Sequence, residues 1–421
     1  MTFSASTITG PGPAGPLVWA AMRLLFFGTY DAGAHPRVAV LRDGLRAHGN
    51  TVLECNVPLG LSTAQRVAML RTPWTLPLLG LRLARCWTTL AVRSRRWRRT
   101  YADSDNDIDT WPDAVVVGYL GHFDVLLARR LFPHVPIVLD HLVGGADTAG
   151  DRGVSGGLRS RLLRRLDAAA LGSADLVVVD TDEHRTALNL RHRARALVVA
   201  VGAPDEWFAA AERAEKRAVE RAPGTPVRVV FFGLFTPLQG APVIGRALAR
   251  LAAATTATPA IPAIQVTMIG TGQDLAQTRE LAGEAAAGSS NDWIEWIDWV
   301  DAADLPAVVA RHDVCLGIFG TGPKALRVVP NKVFQGAAAG CAIVTSDTDP
   351  QARALGGAAI LVPPGDDAAL ADALLELAAD PSRLSAARAA AHRLAAASFT
   401  PAAVTAPLHE RLLAVVPRRT P

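Results

Sequence analysis

The residues best suited to chemistry lie in one stretch, Gly317-Ile-Phe-Gly-Thr-Gly-Pro-Lys-Ala-Leu-Arg-Val-Val-Pro-Asn-Lys-Val-Phe-Gln-Gly-Ala-Ala-Ala-Gly340, with the strand-like run Ala342–Asp347 behind it. Its glycines, Gly322 among them, let backbone amides come close to a ligand. Lys324 and Arg327 put cations on the loop, and Asn331 is placed to cap a helix whose first turn holds Lys332. Cations and free amides at one helix start form a diphosphate site that needs no metal. A solvated basic loop is the plainer alternative, but such loops are seldom framed by Gly, Pro and a cap.

Weaker signals surround it. In Phe232–Gly240, Gly233 and Gly240 bracket a loop whose amides can face a phosphate, and Gly270-Thr-Gly272 is a lesser copy. Near the start, Gly28-Thr-Tyr-Asp-Ala-Gly-Ala-His-Pro-Arg37 joins a strand to a helix. Gly28 and Gly33 open that loop, and His35 and Arg37 are expected to face a cleft and touch an acceptor or a pyrophosphate. An ordinary turn with a solvated arginine explains the same residues. The loop is not GxGxxG, so nicotinamide dinucleotide binding is poorly supported. His122, in Gly121-His-Phe-Asp124, sits where a strand ends and can hold a substrate hydroxyl, or can be an ordinary packed histidine. Trp293–Val300 reads as sheet-edge packing.

The elements that must position these loops alternate throughout, as βαβ units do. Strands are expected at Arg23–Gly28, Thr51–Asn56, Ala114–Gly118, Ile137–Asp140, Leu176–Asp180 and Val198–Val201. After Pro204–Pro226, which reads as a linker, they resume at Val227–Gly233, Gln265–Gly270, Ile294–Val300, Val314–Phe319, Ile343–Asp347 and Ala359–Val362. Helices such as Val38–His48, Asp124–Phe132, Leu158–Leu171, Asp182–Arg193, Pro242–Ala254 and Leu305–Arg311 fall between them. The fold class is therefore α/β, with two Rossmann-like doubly wound domains, 22–203 and 227–400, facing across a cleft. The linker spans 204–226, and a helix at 401–417 packs back on the first domain. A chain of 421 residues, half of them apolar, can fill two such cores.

Residues 1–21 lack a basic start and a sustained apolar stretch, and read as a disordered leader. No apolar run reaches the length of about 20 residues that a membrane span needs. Four scattered cysteines argue against a disulfide framework or a zinc site and for a reducing, cytoplasmic setting. The net charge of +4 favours an anionic partner. Residues 56–102 contain no acidic side chain after Glu54 but many arginines, Arg82 to Arg99 above all, with Trp74, Trp87 and Trp97 between them. Such a segment can lie on an anionic membrane surface, bind nucleic acid, or form a solvated face with inward tryptophans. The first fits a protein peripheral to the inner face of a membrane; nucleic acid is the least favoured.

The pattern strand, loop, then helix x-Lys-x-x-Glu-x-x-Ala-x-Gly before a strand resembles the donor site of GT-B glycosyltransferases, particularly the retaining family-4 type. The second half is similar to that family from Gly233 to Val-Pro-Pro-Gly-Asp-Asp366. The first half resembles it more loosely through Met22–Arg37, the His122 loop and Ala174–Thr181. The resemblance implies sugar transfer from a nucleoside-diphosphate sugar to an acceptor hydroxyl, on a small molecule, a glycan or a lipid, without cofactor or metal. It gives His122, Lys324 and Arg327 catalytic roles. It places the donor diphosphate at Gly233, Gln239, Gly240, Gly322, Lys324, Asn331, Lys332 and Gln335, and the base near Trp299 and Val300. The family's Glu-x7-Glu pair falls on Arg327 and Gln335, so both carboxylates are missing. Its loop Arg and Lys fall on Leu234 and Gln239. The sequence thus implies a rearranged phosphate clamp built on Lys324, Arg327 and Lys332. Two other readings stand beside this one, a GT-B nucleotide-sugar 2-epimerase and a non-catalytic partner protein of the same fold.

Overall fold

The computed structural model describes residues 21–31, 35–61, 69, 73–102, 111–118, 121–142, 157–217, 225–257, 264–283 and 293–416. The expected leader, Ala21 apart, and Gly33 lie outside these residues. Two sheets form, each of six strands paired in parallel. The first runs β2-β1-β3-β4-β5-β6, with β1 Arg23–Gly28, β2 Thr51–Asn56, β3 Ala114–Val117, β4 Ile137–Asp140, β5 Leu176–Val179 and β6 Ala196–Val198. The second runs β12-β11-β10-β7-β8-β9, with β7 Val227–Phe232, β8 Ile264–Ile269, β9 Ile294–Ile297, β10 Val314–Leu316, β11 Ala342–Ser346 and β12 Ile360–Val362.

The pairing follows from the sequence. Runs such as Ala-Val-Val-Val in β3 and Leu-Val-Val-Val in β5 are buried at every position, which needs helices on both faces and hence parallel crossovers. Several ends differ from expectation for local reasons. The strand expected at Val198–Val201 lies instead at Ala196–Val198, because the carbonyls of Val199 and Ala200 bind Arg37. The helix expected over Asp182–Arg193 is two, since the Asn189 side chain accepts from the His192 amide and starts a new turn at Leu190. The strand at Val314 stops before Gly317, whose missing side chain leaves room for the Thr345 hydroxyl.

Most of the expected linker is ordered helix, Asp205–Arg217. Its Trp207 stacks on Phe232 with centroids 5.7 Å apart, and Ala210 is buried in the same cluster of the second domain. The last helix, Pro401–Val415, returns to the first domain, where Leu408 and Leu412 join Leu41 and Leu45 in one core. Gly44 makes that approach, since a Cβ there would lie 2.1 Å from the Pro401 carbonyl oxygen. No helix among the described residues is long and apolar enough to cross a membrane.

Strand order now marks where a crevice opens. In an open parallel sheet the loops diverge where the order reverses, and a crevice opens at the carboxyl ends of those strands. The reversal falls between β1 and β3 in the first sheet and between β7 and β10 in the second. The loop after β7 and the loop after β10 are Gly233–Gly240 and Gly317–Pro330.

Candidate active site

The loops of the second domain pack backbone on backbone. Gly233, Gly240, Gly270 and Gly272 all have positive φ, between 65° and 157°. A Cβ at Gly270 would lie 2.0 Å from the Gly233 oxygen, and one at Gly240 would lie 2.4 Å from the Gly320 nitrogen. Only glycine permits either approach. Phe319 N donates to Gln239 O at 2.9 Å, and Phe235 N to Thr271 O at 2.9 Å, so three loops form one floor.

Lys332 comes up beneath that floor. It stands in the helix Asn331–Ala338, is only 4% exposed, and its Nζ donates to Gln239 Oε1 at 2.6 Å. The ammonium lies 3.6 Å from the centroid of the Phe231 ring, a cation–π contact. A Cβ at Gly233 would come within 3.3 Å of Nζ, so the glycine keeps a side chain from crowding the amine. Burial lowers the Lys332 pKa to about 7. An anion placed against the ammonium would favour the charged form again. Gly233, Gln239, Gly240 and Lys332 are thus gathered at the switch point, and Gln239 holds the charge that its own position lacks.

The other expected donor residues sit apart from that amine. Lys324 is half-buried and Arg327 exposed, flanking and ending a single turn of 3-10 helix, with Gly322 exposed ahead of them. The Arg327 carbonyl accepts from Thr181 Oγ1 at 2.9 Å, which ties this loop to the end of β5 across the cleft. Arg353 Nη2 donates to both carboxylate oxygens of Glu183, at 2.6 and 2.7 Å. Asn331 is not the cap: it is the first helical residue and exposed, and the extended residue before it is Pro330. Proline fixes its own φ near the observed −74° and so takes the flanking position. Gln335 is buried one turn further on. Trp293 and Trp296 pack on the core as expected, while Trp299 is exposed on the loop after β9, its indole N–H donating to Asp301 at 3.2 Å. Val300 packs against the core.

In the first domain two expectations are corrected. Arg37 does not face the cleft. It is buried, its Nε donates to Asp140 Oδ1 at 2.9 Å, and its other nitrogens donate to Val199 and Ala200 carbonyls. Burial raises the Asp140 pKa, and Arg37 opposes that rise. Arg37→Met should therefore cost about 3–5 kcal/mol, because a buried carboxylate loses its partner. Chemical denaturation measures it, and a loss below about 1 kcal/mol would show that the pair carries little. Gly28 likewise faces protein, since a Cβ there would lie 2.9 Å from Asp124 Oδ2. His35 flanks the first helix, and its amide donates to Asp31 O.

His122 is at the cleft end of β3, mostly buried, with Nε2 3.7 Å from Asp167 Oδ1. Its ring meets His141 edge-on at 5.1 Å. His141 is the residue the sequence reading passed over. It directly follows β4, is buried, and its Nδ1 has no hydrogen-bond partner. Burial, helped by His122, lowers its pKa to about 3, so the ring is neutral at any working pH. Beside it, His184 Nδ1 pairs with Asp180 Oδ1 at 2.5 Å just past β5. A histidine at a strand's carboxyl end was the signal that marked His122, and Leu-Asp-His141 carries it equally. Asp124 was also missed: it accepts from Thr29 N, Thr29 Oγ1 and Trp87 Nε1 at 2.7, 2.8 and 2.9 Å, fixing the loop after β1.

Two facing Rossmann-like domains, with a cation under a glycine floor on one side and a pair of adjoining histidines on the other, can be compared with known proteins. Residues 226–380 match the family described as glycosyl transferases group 1. That segment covers most of the second domain. No curated protein matches the chain. Among solved structures, HepE of Anabaena in complex with UDP-glucose is 14% identical, with a TM-score of 0.59 over 94% of this chain and 100% of that one. Sucrose-phosphate synthase of Thermosynechococcus elongatus is 16% identical, with a TM-score of 0.61 over 94% and 100%. The UDP-forming α,α-trehalose-phosphate synthase of Burkholderia vietnamiensis is 14% identical, with a TM-score of 0.59 over 94% and 97%. The chain has the GT-B fold of these structures, and the loops after β7 and β10 lie inside the matched segment.

Proposed function

We propose that this glycosyltransferase moves a sugar from a nucleoside-diphosphate sugar to an acceptor hydroxyl. The observation that carries the reading is Lys332, a buried ammonium under Gly233 at the switch point of the glycosyltransferase domain. The donor diphosphate lies over the floor of Gly233, Gly240 and the loop after β10. As the anomeric C–O bond breaks, negative charge grows on the leaving diphosphate, and Lys332 with the loop amides stabilises it. Lys324 and Arg327 extend that field from the cleft edge. His141, held neutral by burial, and His122 beside it orient hydroxyls of the donor sugar or the acceptor. The acceptor oxygen bonds to the anomeric carbon and passes its proton to an oxygen of the departing diphosphate, so that the nucleoside diphosphate leaves with both the bonding electron pair and the proton.

A uridine nucleotide is the favoured donor carrier, since HepE was solved with UDP-glucose. Retention of anomeric configuration follows from the family-4 resemblance. Positive charge supplied by Lys332 makes the reaction independent of a metal, and four cysteines outside any disulfide suit a reducing, cytoplasmic setting. The purified protein should release nucleoside diphosphate from one of UDP-, GDP-, dTDP- or ADP-glucose, slowly to water when no acceptor is present. Binding without any release over hours would favour the non-catalytic partner instead. Interconversion of the sugar at C2, with the nucleotide still attached in the product, would favour the 2-epimerase.

A further inference from the structure

The helix Leu76–Ala102 has a second face that donor chemistry leaves unused. Its inner face is set by Leu79, Leu83, Trp87, Leu90 and Ser94; Leu90 and Ser94 are fully covered. Trp87 packs on the core of the first domain, and its indole N–H donates to Asp124. The opposite face carries Leu78, Leu81, Arg85, Val92 and Arg96 at intervals of three, four and seven residues, hence in one stripe. Arg82 and Arg95 flank it, both exposed. Trp74, in the turn that leads into the helix, is 82% exposed, Leu81 60% and Leu78 49%. The helix contains no acidic residue.

We propose that this face docks the protein on an anionic lipid surface, with Trp74, Leu78 and Leu81 entering the headgroup layer and the arginines meeting lipid phosphates. Three observations favour lipid over other occupants. A solvated helix face gains nothing from an exposed tryptophan and two exposed leucines. A protein partner read by charge would leave these apolar groups at its rim. Apolar side chains and arginines alternating in one stripe, without acids, match the layered chemistry of a membrane interface. The helix is also wired to the cleft, because Asp124 joins Trp87 to the Thr29 loop at the switch point of the first sheet. Docking therefore anchors the Thr29 loop, on the acceptor side of the cleft, to the lipid-bound helix. That consequence rests on the glycosyl-transfer reading; the docking does not.

The test is co-sedimentation of the full-length protein with two kinds of vesicle, phosphatidylcholine alone and phosphatidylcholine mixed with phosphatidylglycerol. Binding is expected only with the mixed vesicles, and should fall steeply as salt is raised. Arg82→Gln and Arg85→Gln should each weaken it about fivefold. Trp74→Ala, which leaves the charge unchanged, should weaken it roughly tenfold. All three sites are exposed, and nucleotide binding by the same variants reports that the fold is intact. Absence of binding at low salt, or equal binding to both vesicles, overturns the proposal. So does binding to an oligonucleotide without vesicle binding, or a dimer that Trp74→Ala dissolves. Any of these results leaves nucleotide binding and donor turnover to stand or fall separately.

Discussion

Replacing Lys332 with methionine is expected to weaken nucleotide-sugar binding by roughly ten- to a hundredfold, the worth of about 1.5–3 kcal/mol for a charged hydrogen bond. The fold should survive the change and gain stability at neutral pH. Lys332 is buried with one neutral partner, Gln239, which is itself half-buried and can turn to water. Methionine fills a similar volume and removes a group that resists burial when charged. The sign with pH can be worked out. The folded pKa is lowered to about 7 from 10.5, so between those values the unfolded chain binds more protons. Stability from this group therefore rises with pH across that window, and the penalty is complete below about pH 7. Donor affinity should run the other way, falling by up to tenfold per unit above pH 7, because the diphosphate needs the charged amine. Calorimetric titration of wild type and Lys332→Met from pH 6.5 to 9 reads both trends. An unchanged affinity, or a pH slope that persists in the variant, would remove Lys332 from the site.

The second large effect is expected at His141. His141→Ala should lower the turnover number by about a hundred- to a thousandfold, the usual cost of one preorganised hydrogen-bonding group at a reacting centre. Donor affinity should change by only a few fold, because the diphosphate is held on the other domain. The imidazole pKa near 3 means the ring acts by hydrogen bonding and not by titrating between pH 5 and 8. His141→Asn, which keeps a polar group of similar reach, should recover part of the loss. Steady-state kinetics separates the two outcomes: a raised KM with an intact turnover number would make His141 a binding residue only.

The fold was legible because its signals are periodic and local. Buried runs such as Leu176–Val179 and the glycine after each read as strands and loops without tertiary information. The site was legible in part. The loop Gly317–Gly340 was found because its glycines and cations are adjacent in the chain. What that adjacency could not show is depth: Lys324, Arg327 and Lys332 look equivalent on paper, yet only Lys332 is buried beneath Gly233. Its partner Gln239 lies 93 residues away, and a neutral glutamine in place of an expected lysine gave no hint of holding a cation. Arg37 failed for the complementary reason. An arginine at a loop end looks solvated until Asp140, 103 residues on, is seen to be buried beside it. His141 needed no structure, only the rule already applied to His122.

The central claim is that the glycine floor of the second domain binds a nucleoside diphosphate. Thermal unfolding of the wild-type protein with UDP, GDP, dTDP and ADP in turn tests it most directly. One nucleotide, with UDP favoured, should raise the unfolding temperature by several degrees, since ligand at a hundred times its Kd stabilises by about 2.7 kcal/mol. The same nucleotide should shift Lys332→Met far less. If none of the four stabilises the wild-type protein at millimolar concentration, the floor of Gly233, Gly240 and Lys332 is not a nucleotide site.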